Sequence, residues 1–200
     1  MESGKDKRKR IGVYTTLGAN SHSEHEYEEN GFYATDPIAI DKLKKVFDIP
    51  HHILEPMCGE GHLSKRLIEY GHDVYSTDLF DRGFGEETGV DFFEVKEIDP
   101  KYSILTNPPY TMAMDSVLHA YDLVSEGNYV IMFLKLQFLE GKKRRKELFD
   151  KINPKFVFVS SERIICALNG DFEKTTNSAI AYAWFVWEKG WKGDTIVKWM

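Results

Sequence analysis

From Phe32 onward, two apolar periodicities take turns along the chain. Pro37 followed by Ile38, Ile40, Leu43, Val46 and Phe47 predicts a helix that starts at the proline and ends before Pro50. His52-Ile53-Leu54 predicts a short buried strand, and after a glycine-bearing turn Leu63, Leu67 and Ile68 mark a helix that stops at Gly71. Val74-Tyr75-Ser76-Thr77 predicts the next strand, closed by Asp78. Apolar stretches at 103–106, 129–135, 156–160, 179–188 and 194–199 predict five more strands, and residues 111–126 and 143–151 predict helices. Strands alternating with helices predict an α/β fold: a mostly parallel, seven-stranded sheet with helices on both faces. Between the last two strands lies only a Lys-Gly-Trp-Lys-Gly turn, too short for a crossover helix. A C-terminal antiparallel hairpin is expected there.

Ahead of this region the pattern fades. Residues 18–31 are polar and acidic, and the first ten residues are basic, with Lys5, Lys7, Arg8, Lys9 and Arg10 against Glu2 and Asp6. Residues 1–31 are expected to be a flexible arm, and 32–200 a single domain. Over the whole chain 26 Lys and Arg face 32 Asp and Glu, a net charge of -6. That excludes a surface basic all round but leaves room for a local patch. Two cysteines, Cys58 and Cys166, do not make a disulfide scaffold, and the charged N-terminus lacks the apolar core of a signal peptide. The expectation is a reduced, cytoplasmic protein. The longest apolar run, Tyr129 to Leu134, stops at Lys135, far short of the ~20 residues of a membrane span.

Candidate chemistry begins in the turn ILEPMCGEGH, residues 53–62. Here a strand ends in Glu55 and the chain runs through Gly59 and Gly61 into a helix, the place where open α/β sheets bind ligands. The glycines do not match GxGxxG, and no Lys-Ser/Thr follows as in a phosphate-binding loop. Glu55 and Asp78 would repel phosphate, yet suit an amine and ribose hydroxyls. A cationic amino acid attached to a nucleoside satisfies both.

The second candidate is Asn107-Pro108-Pro109-Tyr110, directly after the strand at 103–106. Two prolines remove two backbone donors and set two φ angles near -65°, so the segment leaves the sheet as a rigid turn. A conjugated exocyclic amine is a poor nucleophile. The Asn107 side-chain carbonyl and the Pro108 backbone carbonyl can hold its NH2 group and favour a tetrahedral nitrogen, while Tyr110 offers a face for a planar target.

In these two motifs the sequence resembles the class I S-adenosylmethionine-dependent methyltransferases, which implies a Rossmann-like fold and S-adenosyl-L-methionine as cofactor. The resemblance places Glu55, Pro56, Met57, Gly59 and Gly61 around the methionine part, Asp78 and Leu79 at the ribose, and Asp91 with Phe92 at the adenine. The tetrapeptide resembles the catalytic motif of adenine-N6 and cytosine-N4 DNA methyltransferases, and is also similar to that of glutamine-N5 protein and some RNA methyltransferases. Upstream, Phe32-Tyr33-Ala34-Thr35-Asp36-Pro37 resembles a Tyr-x-Thr-Pro segment of adenine-N6 enzymes that helps close over the cofactor, with Asp36 inserted; this adds Tyr33 and Thr35 to the cofactor set, in which the resemblance also includes Asn107 of the tetrapeptide. Residues 134–149 and the AYAWFVWEKG stretch look like small phage-encoded methyltransferases. The implied activity is methylation of adenine N6 in DNA; an RNA base, a protein glutamine or a catalytically silent binding role are the alternatives, the last opposed by intact Asn107 and Tyr110.

The densest basic run is Lys142, Lys143, Arg144, Arg145 and Lys146. It suits phosphate contacts, and it equally suits a solvated helix face. The stretch 163–178 is either a plain surface loop or one that lines the target pocket, with Arg163 or Phe172 stacking there. His22, His25, Glu24 and Glu26 resemble a metal cluster in spacing only, and no metal is expected. Cys58 is read as a packing residue. The chain leaves little length for a separate target-recognition domain, so a nucleic-acid partner, DNA first, would be met through short loops, a homodimer or a specificity subunit.

Overall fold

The computed structural model describes residues 33–174 and 179–200; the arm at 1–31 with His22 and His25, Phe32, and residues 175–178 lie outside the described residues. In chain order the elements are β1 (Tyr33–Thr35), α1 (Ile38–Lys44), β2 (His52–Glu55), α2 (His62–Glu69), β3 (Asp73–Asp78), β4 (Glu87–Thr88), β5 (Ser103–Thr106), α3 (Ala113–Leu123), β6 (Tyr129–Lys135), α4 (Lys142–Arg144), β7 (Phe156–Val159), β8 (Cys166–Leu168), β9 (Tyr182–Glu188) and β10 (Ile196–Trp199). The helix expected at 143–151 is α4 followed by a π-helical turn, Arg145–Phe149, and a 3-10 turn, Tyr110–Met112, opens the one expected at 111–126.

Alternation along the strands builds two cores. On β6, Ile131 and Phe133 join Ile40 and Leu43 of α1, Leu63 and Leu67 of α2, and Trp184 of β9. Val130, Met132 and Leu134 point the other way, onto Ala113, Val117 and Ala120 of α3 and Phe185 and Trp187 of β9. A strand buried on both faces carries no polar alternation, which is why β6 reads as a continuous apolar run. The indole N–H of Trp184 donates to Ala39 O at 3.0 Å, tying α1 to the sheet.

The main sheet has the order β10-β7-β9-β6-β5-β2-β3-β4, with β1 and β8 paired separately. It has eight strands rather than the expected seven, and it is mixed: β9 runs antiparallel to both β6 and β7, while the other pairs are parallel. The expected terminal hairpin does not form. Both edges of β9 are taken, because six successive residues, Tyr182 to Trp187, are buried and belong inside a sheet. β10 is exposed at all four positions and takes the edge instead, parallel to β7. The connecting loop is pinned to the start of β7: Asn153 Nδ2 donates to Gly193 O at 2.9 Å, and Thr195 Oγ1 donates to Pro154 O at 2.7 Å.

From β2 the chain moves outward to β3 and β4, then returns to the other side of β2 as β5 and continues to β6. Strand order therefore reverses between β2 and β5, and the crevice for a ligand opens beyond their carboxyl ends, between Glu55 and Asn107. No described helix is long and apolar enough to cross a membrane.

Candidate active site

Glu55 closes β2 with only 2% of its surface exposed. Ser64, one turn into α2, donates to its Oε2 and lies 2.7 Å from Ser76 Oγ of β3. Burial pushes the Glu55 carboxyl up to about 8, against the opposing pull of the Ser64 hydrogen bond. The turn that follows bends through Gly59 (φ 56°) and Gly61 (φ 76°), both in the left-handed region. A Cβ on Gly61 would lie 2.2 Å from the Phe84 ring, so the ring rests directly on the turn's backbone. Asp78, at the end of β3, binds this turn: its Oδ2 accepts from Gly59 N at 2.8 Å and its Oδ1 from Phe80 N at 2.9 Å. Each of these oxygens keeps a further lone pair for a ligand hydroxyl. Pro56 is buried, Met57 half-buried and Leu79 exposed.

Asp91 and Phe92 follow β4. Asp91 Oδ1 accepts from Phe93 N at 2.9 Å, capping a 3-10 turn, and stays exposed; the Phe92 ring is buried against His119 of α3, with centroids 4.9 Å apart.

Across the crevice, the Asn107 amide is held by β1. Its Nδ2 donates to Thr35 Oγ1 at 2.8 Å and to Tyr33 O at 3.3 Å. Its Oδ1 is buried and has no hydrogen-bond partner among the described residues. An unpaired buried acceptor costs free energy unless a donor arrives. Pro108 is buried and Pro109 exposed, and Tyr110 turns inward: its hydroxyl donates to Tyr182 Oη at 3.0 Å, and burial raises the phenol well above its ordinary range. The ring is flanked by Tyr33, at 5.5 Å between centroids, and by the ammonium of Lys135, 4.1 Å from the ring centre.

A strand ahead of the sheet and one inserted between β7 and β9 meet beside the Asn107 turn. β1 and β8 pair antiparallel, with Tyr33 opposite Leu168 and Thr35 opposite Cys166. Beyond β8 the chain passes Glu60, whose Oε2 is 2.7 Å from where a Gly170 Cβ would stand, and sets the Phe172 ring 5.3 Å from the His62 ring at the start of α2. The ribbon and its extension thus touch both the Asn107 turn and the glycine turn. Arg163 is exposed ahead of β8.

The basic run follows β6 and divides in two. Arg144 is half-buried, and its guanidinium donates to the carbonyls of Phe138, Gln137 and Glu140, ending the 3-10 turn Leu136–Leu139. These contacts fasten the chain after β6. Lys142, Lys143, Arg145 and Lys146 are exposed. Lys143 and Arg145 lie 3.8 and 3.6 Å from Glu147 and Asp150, surface pairs of little energetic weight.

Sequence reading passed over Lys135, Tyr182, Cys166, Ser64 and Phe84 as site residues. Only Lys135 carried a visible signal, a charge ending an apolar strand next to the Asn107 turn.

No protein-family model matches the sequence, and no curated protein matches it significantly. Solved structures do match. A "putative class I S-adenosylmethionine-dependent methyltransferase" from Listeria monocytogenes aligns with TM-score 0.54 at 13% identity, over 81% of this chain and 61% of that one. The chain has the class I methyltransferase fold. A modification subunit of a "putative type I restriction enzyme" from Vibrio vulnificus aligns with TM-score 0.56 at 14% identity, over 84% of this chain and 46% of that one. A "putative hemolysin" from Lactococcus lactis shares the fold too, with TM-score 0.53 at 12% identity, over 79% and 88%. The chain spans less than two thirds of the first two. At such identities a class I methyltransferase fold locates a site without naming its chemistry. That chemistry has to come from Glu55, Asp78 and Asn107 themselves.

Proposed function

We propose that this protein is an S-adenosylmethionine-dependent methyltransferase acting on an exocyclic amino nitrogen, adenine N6 of DNA. One observation carries the reading: Asn107 is clamped through its Nδ2, which leaves its buried Oδ1, without a hydrogen-bond partner among the described residues, as an acceptor for an N–H donor. The donor set on the other wall suits the cofactor. Glu55 is a buried carboxyl whose Oε2 receives Ser64, leaving acceptor sites for an ammonium; Asp78 retains lone pairs for ribose hydroxyls; Gly59 and Gly61 bring bare backbone to the turn. When bound, S-adenosylmethionine supplies an electrophilic methyl group on a sulfonium.

The residues of the chain then do three things. Asn107 Oδ1 and the Pro108 carbonyl accept hydrogen bonds from the target NH2, which orients the nitrogen and favours the tetrahedral geometry it needs as a nucleophile. Thr35 and Tyr33 keep the amide from rotating. The β1–β8 ribbon roofs the crevice and limits water. The fold shared with a modification subunit of a putative type I restriction enzyme from Vibrio vulnificus supports DNA as the substrate class.

Incubation with methyl-labelled cofactor and separate pools of DNA, RNA and protein tests the reading. Label is expected in DNA as N6-methyladenine. Asn107→Ala is expected to lower kcat on the order of 10²–10³-fold, with a much smaller change in cofactor affinity. Calorimetry showing no binding of S-adenosylmethionine would remove the enzymatic reading, and label confined to protein would move the substrate.

A further inference from the structure

The Tyr110 side of the site holds a cation that methyl transfer leaves unused. Lys135 ends β6, the strand beside β5, on the same carboxyl edge as Asn107. Its ammonium is half-buried over the Tyr110 ring. The ionisable groups around it are the phenols of Tyr110 and Tyr182 and the thiol of Cys166; no carboxylate among the described residues pairs with it. Taking an ammonium partly out of water without a counter-ion is unfavourable, and burial accordingly pulls its titration down. The position makes sense where an anionic ligand completes the pair.

Charge along this edge is sorted. The ends of β2 and β3 and the loops beyond them carry Glu55, Glu60, Asp78, Asp81 and Glu86 against Arg82, whereas the chain leaving Lys135 carries Lys142, Lys143, Arg144, Arg145 and Lys146 against Glu140, Glu147 and Asp150. The acidic half repels phosphate, and the basic half attracts it. We propose that Lys135 binds the phosphate beside the target nucleotide, so that the site selects a base within a polynucleotide strand, with the strand continuing past the Lys142–Lys146 turn. This rests on the methyl-transfer reading of the Asn107 site. A protein glutamine would bring Lys135 no anion. A planar base entering over Tyr110 shares the ring with the ammonium, and the flexible lysine stem lets the charge swing from the ring to the phosphate that arrives with the base.

The test is the affinity of fluorescent oligodeoxynucleotides and oligoribonucleotides, single- and double-stranded, measured over a range of salt for the wild type, Lys135→Met, Lys135→Arg and Lys192→Met. Lys192 lies in the loop after β9, at the opposite edge of the sheet. Loss of one phosphate contact should flatten the log–log salt dependence of Lys135→Met by about 0.7–0.9. Its KM for the methylated strand should rise more than its kcat falls. Lys135→Arg should restore the slope and Lys192→Met should match the wild type; whichever of DNA or RNA shows the Lys135-dependent slope is the source of the phosphate. An unchanged slope in Lys135→Met, with the wild type binding oligonucleotides, overturns the assignment and leaves the parent reading standing. A wild type that binds none of the strands overturns both.

Discussion

Glu55 gains its character from where its strand ends. The carboxyl is buried, so its folded-state titration stands near 8 against an ordinary value of 4.5. Between these pH values the unfolded chain gives up this proton and the folded one keeps it. The contribution of Glu55 to stability is therefore whole below pH 4.5 and is lost as pH rises to about 8. Glu55→Gln, which keeps an acceptor for Ser64, should flatten the decline of Tm between pH 5 and 8. An incoming ammonium reverses the balance by favouring the ionised carboxyl. At pH 7 cofactor binding should then release close to one proton, seen calorimetrically as a binding enthalpy that tracks the ionisation enthalpy of the buffer. A buffer-independent enthalpy would show that Glu55 does not meet the ammonium.

Among the elements, the β1–β8 ribbon matters most for the chemistry although it contributes little to the sheet. Thr35 Oγ1 is the nearer of two acceptors for Asn107 Nδ2, at 2.8 Å, and it is buried. Thr35→Val keeps the shape and removes that acceptor, at a stability cost of about 1 kcal/mol. The amide then gains freedom to turn its Oδ1 away from the target. A fall in kcat of roughly 10-fold, with Tm changed little, is expected. Equal loss of cofactor affinity and kcat would instead mark the ribbon as a cofactor clamp. The ribbon escaped sequence reading because its strands are three residues each and lie far apart in the chain, Tyr33–Thr35 and Cys166–Leu168, with no local turn to announce the pairing.

At the scale of the molecule, β9 joins the parallel half of the sheet to the β7–β10 edge, and its two tryptophans fill both cores. Trp184 is fully buried and hydrogen-bonded to the backbone of α1, the helix that follows β1. Trp184→Phe leaves a small cavity and removes the indole hydrogen bond to the Ala39 carbonyl. The expected cost is roughly 2–3 kcal/mol, or about 4–12 °C in Tm for a domain of this size, measured by thermal unfolding. A variant as stable as the wild type would mean that the site's support lies elsewhere.

Local pattern carried much of this architecture. Two-sided burial writes a strand as an apolar run, so β6 and β9 are visible in the chain, as are the glycine turn and the proline-locked turn whose geometry depends on their own residues. Pairing is a different matter, since a strand's partner is chosen by which edges remain open. Residues 179–188 and 194–199 read as a hairpin because they are close in sequence; packing puts one inside the sheet and the other at its rim. The same holds for the site. Asn107 could be named from its tetrapeptide, but the clamp that leaves its Oδ1 unpaired, the cation over Tyr110 and the diversion of Arg144 to three backbone carbonyls arise from contacts between distant segments, and those exist only once the chain has folded.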